Sequence, residues 1–249
     1  MSTMGVLAVA VMICSFRQSP SLENDRSFCL CETVLLEFSE CQAKRERSFY
    51  HVGMTAPAPA TPRNSDARDR LLRTASELFY REGIHSVGVD RIVGEGSVTR
   101  ATFYRHFPSK EDLVVAYLEA EDAALRGALT AAAESLAADG GSPDDVLEAV
   151  IQGIAEDISR NHTRGCPFIN ASAEYPDASS PVRRTVADHR SWFRSSLESA
   201  LSAAGRDDPA GRAGALVLLR DAALVGGYLD GPDTIRDTFI STARTVAGL

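Results

Sequence analysis

The twelve residues TRATFYRHFPSK, Thr99 to Lys110, place three aromatic rings and a histidine among Thr, Arg and Lys. A helix buried on all sides does not hold so many cations, because an unpaired buried charge is strongly disfavoured. A helix solvated on all sides has no use for Phe103, Tyr104 and Phe107 together. The spacing resolves the conflict. Phe103 and Phe107 are four residues apart and share one helical face, while Arg100, Ala101, Thr102, Tyr104, Arg105 and His106 cover the rest. The stretch reads as a short two-faced helix, anchored by the phenylalanines and presenting a polar, cationic surface.

Its neighbours frame that helix. Thr99 is a natural N-cap and Pro108 ends the element. Ser109 caps the next helix, with Asp112 at the capping-box position. Upstream, Leu71, Leu72, Ala75, Leu78 and Phe79 recur on one helical face in SDARDRLLRTASELFYREG. Ser65 or Asp66 is the expected cap of that helix, and Gly83 its left-handed stop. A short helix with Val89, Ile92 and Val93 apolar follows, broken by Gly94, Gly96 and Ser97 before Val98 turns inward. Two short helices joined by a tight turn on a longer first helix form a helix-turn-helix, whose second helix enters the DNA major groove. Arg100 suits guanine and Ala101 a thymine methyl. Thr102, Tyr104, His106 and Lys110 suit phosphates, which position a protein without reading sequence. Amide groups at the start of the helix after Ser109 favour the same phosphate as Lys110.

The charge distribution agrees. The whole chain of 249 residues carries a net charge of −8, which argues against a protein that coats nucleic acid everywhere. Arg63 to Lys110 holds nine Lys/Arg against six Asp/Glu, whereas Glu111 to the end holds twelve against twenty-two. A locally basic, aromatic-bearing segment on an acidic body predicts a confined anion-binding surface.

The segment RLLRTASELFYREGIHSVGVDRIVGEGSVTRATFYRHFPSKEDL, Arg70 to Leu113, resembles the DNA-binding segment of TetR-type transcriptional regulators without a gap. Its most specific part is T-x-x-T-F-Y-x-H-F-P-S-K-E-D-L. The resemblance implies a homodimeric one-component regulator, most often a repressor, that binds a palindromic operator on double-stranded DNA. It also implies a C-terminal helical domain that binds a small effector and forms the dimer through the last two helices. On that pattern Thr99, Arg100, Ala101, Thr102, Tyr104, His106 and Lys110 fall on DNA-contacting positions, and Phe103 and Phe107 on packing positions. The chain departs from the family at Gly94, where Ala is usual, and at Gly96-Ser97, where Ala-Gly or similar is usual. A Ser at that turn predicts backbone strain and a turn with more slack.

The remainder reads as helices between capped breaks, with strands nearly absent. Helices are expected from Ser109 to about Ala138, from Ser142-Pro143, from Ser180-Pro181, from Asp208-Pro209 and after Gly231-Pro232. FINASAEY forms a short helix behind Gly165 and Pro167. The expected fold is therefore all-α, with about nine helices. Residues 65–111 form the DNA-binding domain and 112–249 the effector-binding and dimerisation domain. Cys166, Phe168, Asn170, His189, Trp192, Phe193 and Tyr228 combine apolar walls with a few polar tips, the chemistry of a small-molecule pocket. AGALVLLRDAALVGGYLDG has small and apolar residues on more than one face, as suits helices packed both within a subunit and against a partner. One short recognition helix also reads few base pairs, whereas a two-fold dimer sets two of them roughly 34–36 Å apart.

Four of the five cysteines (Cys14, Cys29, Cys31 and Cys41) lie in the first 41 residues, which is not the distribution of a disulfide-stapled secreted domain. The apolar run GVLAVAVMIC, Gly5 to Cys14, has signal-peptide length but no preceding Lys or Arg and no clean cleavage site. Residues 1–64 are expected to be an extension outside the folded unit, with native translation starting at Met54, and the protein to be cytoplasmic, without a membrane partner. No Gly-rich phosphate loop, G-x-S-x-G elbow or metal triad is present in the sequence, so neither an enzyme nor a cofactor is expected. His162 and Cys166 are four apart, but no third metal ligand accompanies them. The competing readings are a helical protein-interaction adaptor and a thiol-sensing regulator using Cys166.

Overall fold

The computed structural model describes residues 63–249; the expectations for the N-terminal extension and its start at Met54 lie outside the described residues. Nine helices and no strands make up the described chain. They are α1 (Arg63–Glu82), α2 (Val89–Glu95), α3 (Arg100–His106), α4 (Lys110–Ala138), α5 (Pro143–Arg160), α6 (Pro167–Glu174), α7 (Pro181–Ala203), α8 (Pro209–Asp230) and α9 (Pro232–Ala247).

The helix starts follow local chemistry. Thr99 accepts the Thr102 amide, and Ser109 and Ser142 each close a reciprocal capping box with Asp112 and Asp145. Pro143, Pro167, Pro181, Pro209 and Pro232 stand in the first turns of their helices, where no amide donor is missed. One boundary differs from expectation. Helix α1 begins at Arg63, so Ser65 and Asp66 lie inside its first turn rather than capping it. No Gly or Pro follows Arg63 to interrupt the turn, and Asp66 favours the dipole there while pairing with Arg70.

Helix α1 packs on α2, α3 and the start of α4 to form the N-terminal unit, with Leu71, Ala75, Leu78, Ile92, Phe103 and Leu113 fully buried between them. The long α4 is shared: its first turns complete that unit, and its continuation packs against α5 and α7. In the C-terminal part, α5, α7, α8 and α9 bury Leu147, Ile151, Phe193, Leu197, Leu224 and Phe239 among one another. Helix α8 comes unusually near α5 at Gly227, where an added Cβ would lie 2.6 Å from Ile158 Cγ2. A cavity of about 10 Å³ lined by apolar side chains, among them Ile151, Leu197, Leu216 and Phe239, lies between these helices. Among the described residues no helix is long and apolar enough to cross a membrane.

Candidate nucleic-acid interface and its link to the C-terminal domain

The turn between α2 and α3 sets the geometry of the interface. Val98 donates its amide to the Val93 carbonyl at 3.0 Å and Ser97 to Gly94 at 3.2 Å, while Gly96 donates to Ile92 at 2.8 Å. That is a Schellman closure, in which the residue after the cap is left-handed. Here that residue is Ser97, at φ 51°. The strain expected at Ser97 is present, whereas the slack is not: three backbone hydrogen bonds close the turn.

Helix α3 is two-faced as read. Phe103 is completely buried and Phe107 nearly so, while Thr99, Arg100, Ala101 and Tyr104 are exposed. Tyr104 stands edge-on to Phe103 at 5.1 Å, which fixes the direction of its hydroxyl. Thr102 and His106 are half-buried, and His106 Nε2 has no hydrogen-bond partner among the described residues. Arg105, outside the expected set, is exposed on the same helix. The Arg68 guanidinium lies 5.2 Å above the Phe107 ring, adding a cation at the edge of this face.

Two residues are held more tightly than the sequence implies. Lys110 donates to the Ile84 carbonyl at 2.6 Å and lies 5.8 Å from the Phe79 ring centre, so it also braces α1. Burial holds its ammonium pKa below the usual lysine value, opposed by Glu174. Arg100 forms a two-pronged pair with Asp90 of α2, Nε to Oδ1 at 2.5 Å and Nη2 to Oδ2 at 2.6 Å.

The candidate effector residues divide. Phe168 lies flat on the His189 imidazole, with ring centres 3.6 Å apart and planes 3° apart. His189 Nδ1 is 2.7 Å from Asp122 Oδ1 on α4, and Asp122 Oδ2 accepts Arg126 Nε at 2.5 Å. Arg126 stacks over Trp192 at 4.1 Å, and the buried Arg220 over Phe193 at 4.9 Å. Burial lowers the His189 pKa, with Asp122 opposing and Arg220 assisting. The neutral ring therefore donates from Nδ1 to Asp122, which leaves Nε2 as a buried acceptor without a partner among the described residues. Cys166 is buried, and Asn170 is half-buried, donating to the Arg164 carbonyl at 3.2 Å. Tyr228 is not part of this assembly. It is 54% exposed on α8. Asp157 lies 2.6 Å from His162 Nδ1, and Glu121 3.8 Å from its Nε2.

The segment from His162 to Tyr175 clasps the N-terminal unit. Glu174 accepts the amides of Ile84 at 2.8 Å and His85 at 2.5 Å. His85 stacks on Tyr175 at 5.2 Å. The Tyr80 hydroxyl accepts the Arg164 amide at 2.8 Å and donates to the Gly165 carbonyl at 3.0 Å, and Arg164 Nη1 donates to the Tyr80 carbonyl at 2.7 Å.

Known proteins carry the same parts. Residues 71–117 match the family described as bacterial regulatory proteins, tetR family, and residues 144–209 match a tetracyclin repressor-like C-terminal domain. The crystal structure of SCO4454, a TetR-family transcriptional regulator from Streptomyces coelicolor, superposes with a TM-score of 0.69 at 44% identity, covering 74% of this chain and 95% of that one. The chain belongs to the TetR family.

A TetR-family chain is a DNA-binding transcriptional regulator and not an enzyme, and the helix-turn-helix described above is its DNA-binding part. The HTH-type transcriptional repressor NemR of Escherichia coli K12 is 30% identical over 121 residues, which are 49% of this chain and 60% of NemR. This chain thus spans about three-fifths of that relative. The transcriptional activator FasR of Mycolicibacterium smegmatis is 40% identical over 54 residues, 22% of this chain and 25% of FasR. The crystal structure of reduced E. coli NemR shares the fold, with a TM-score of 0.63 at 24% identity, covering 73% of this chain and 97% of that one.

Asp90, Asp122, Tyr80, Arg164 and Glu174 are absent from the sequence-derived set. No local pattern marks them, since each acts through a residue on a different element of the fold.

Proposed function

We propose that this TetR-family regulator is a repressor that binds a palindromic operator as a homodimer and is released by a small-molecule effector. The observation that carries this reading is the double role of the segment 162–175. Its Phe168 forms one wall against His189, and its Arg164 and Glu174 hold the DNA-binding unit through Tyr80, Ile84 and His85. A molecule that displaces Phe168 or engages His189 pulls on that clasp and on α4, which starts beside the recognition helix and carries Asp122. Binding at one end then shifts the population of DNA-competent orientations at the other. The chemistry at His189 favours an effector that offers an O–H or N–H to Nε2 beside an aromatic surface.

Dimer formation is supported by α8. Leu218 and Leu229 are 68% and 69% exposed, and Val225 lies between them on the same helical stripe. With Tyr228 they present an apolar surface suited to a second copy. The buried Cys166 offers no surface thiol, so the effector-binding reading is preferred to thiol sensing.

Titration of the purified chain against duplex DNA from its own upstream region tests the proposal. Specific, salt-sensitive binding by a dimer is expected, weakened by a hit from a thermal-shift screen of small aromatic alcohols and amines. A protein that ignores DNA but captures a defined protein partner would be an adaptor instead.

A further inference from the structure

We propose that Asp90 is a specificity-determining positioning residue, which holds Arg100 in one orientation so that the free edge of its guanidinium reads a guanine. The inference rests on the operator-binding function proposed above. Arginine has five N–H donors in a rigid fork. Asp90 occupies the side edge, taking Nε–H and one Nη2–H. The end edge, formed by Nη1 and the second Nη2 hydrogen, keeps two parallel donors, the set that matches guanine O6 and N7.

The charge works in the same direction. A guanidinium paired with a carboxylate has much of its attraction for phosphate cancelled, whereas its hydrogen-bonding complementarity to a base edge remains. The pair thereby steers Arg100 away from the backbone and toward the base. Asp90 lies in the first turn of α2 and Arg100 in the first turn of α3, so the contact spans the two short helices of the motif. The closed turn at Ser97 fixes the separation of those helices. Both side chains are more than half exposed, which makes the pair a weak contributor to stability in the free protein. Its value comes on entering the groove, where a preoriented arginine loses little rotamer freedom.

The test uses the full chain and a duplex library randomised over about two helical turns, followed by titration of the selected duplex and its single-base variants. The wild type should select a guanine whose replacement weakens binding roughly tenfold or more. Arg100→Ala should erase that preference. Asp90→Asn and Asp90→Ala should reduce it about fivefold or more, while binding to unrelated duplexes stays level or rises because a negative charge is removed. Melting curves matching the wild type exclude loss of fold, and a merely structural role would weaken all duplexes in equal proportion. Retention of the guanine preference in both Asp90 variants would overturn the inference while leaving operator binding intact. Tighter binding to every duplex at unchanged preference would also overturn it, making Asp90 a repulsive mask. Failure of the wild type to select any sequence would instead remove the operator-binding function itself.

Discussion

The Glu174 carboxylate accepts the backbone amides of both Ile84 and His85, joining the end of α6 to the turn between α1 and α2 across about 90 residues of chain. The two amides follow the left-handed Gly83, at φ 93°, and point out of the turn with no helical acceptor of their own. A carboxylate supplies two acceptor oxygens and charge, so it satisfies both donors at once. Replacing Glu174 by Ala should destabilise the fold by about 1–3 kcal/mol, since the amide of buried Ile84 loses its acceptor. Glu174→Gln should retain part of that stability with one acceptor oxygen left. Urea unfolding measures both, and little change in either variant would show that solvent replaces the clasp.

The turn before the recognition helix can be improved. Ser97 occupies a left-handed backbone that disfavours L-residues, and Ser97→Gly should stabilise the protein by about 1 kcal/mol. At Gly94, inside α2, an added Cβ meets nothing within 4 Å, so Gly94→Ala should add about 0.5–1 kcal/mol. Thermal melting checks each. A lower melting temperature for Gly94→Ala would mean that its hydrogen is needed by a contact.

His162 makes stability depend on pH. Burial disfavours its charge, but the hydrogen bond it donates to Asp157 and the nearby Glu121 carboxylate outweigh that and raise its pKa from 6.5 to about 9. A raised pKa means that the folded state binds the proton more tightly than the unfolded state. The contribution is therefore complete below about pH 6.5 and is lost as pH rises through about 9. Its size is on the order of 3 kcal/mol. His162→Gln should flatten the decline in melting temperature over that window, and an unchanged slope would remove His162 from the account.

The two faces of α3 should separate in mutagenesis. Phe103→Ala should cost about 3–5 kcal/mol, because the ring is completely buried and leaves a cavity. Tyr104→Ala should alter stability by no more than about 0.5 kcal/mol and weaken DNA binding several-fold. The salt dependence of that binding should not change, since a hydroxyl releases no counterion. Equal destabilisation by both variants would contradict the two-faced assignment.

What was legible in the chain alone was local. Thr99, Ser109 and Ser142 cap helices because the partner of each lies three residues away. Phe103 and Phe107 share a face because α-helical spacing puts them there. The same local logic does not reach side-chain directions that depend on a distant surface. Tyr228 has the composition of a pocket wall, yet its face is set by how α8 rotates against α5 and α7. The twin assignments of Lys110 and Arg100, to a structural acceptor as well as to DNA, are equally invisible without the partners Ile84 and Asp90.

The sequence by itself therefore determined the helices, the caps of those after α1 that close within three residues, and the two-faced recognition element, since these follow from periodicity and from contacts within a turn. Only the tertiary structure decided that Asp122 orients His189, that Arg164 and Glu174 clasp the DNA-binding unit, and that Asp90 restrains Arg100. Those pairings join residues ten to ninety positions apart, where chain proximity contributes nothing and only the packing of helices brings the groups together.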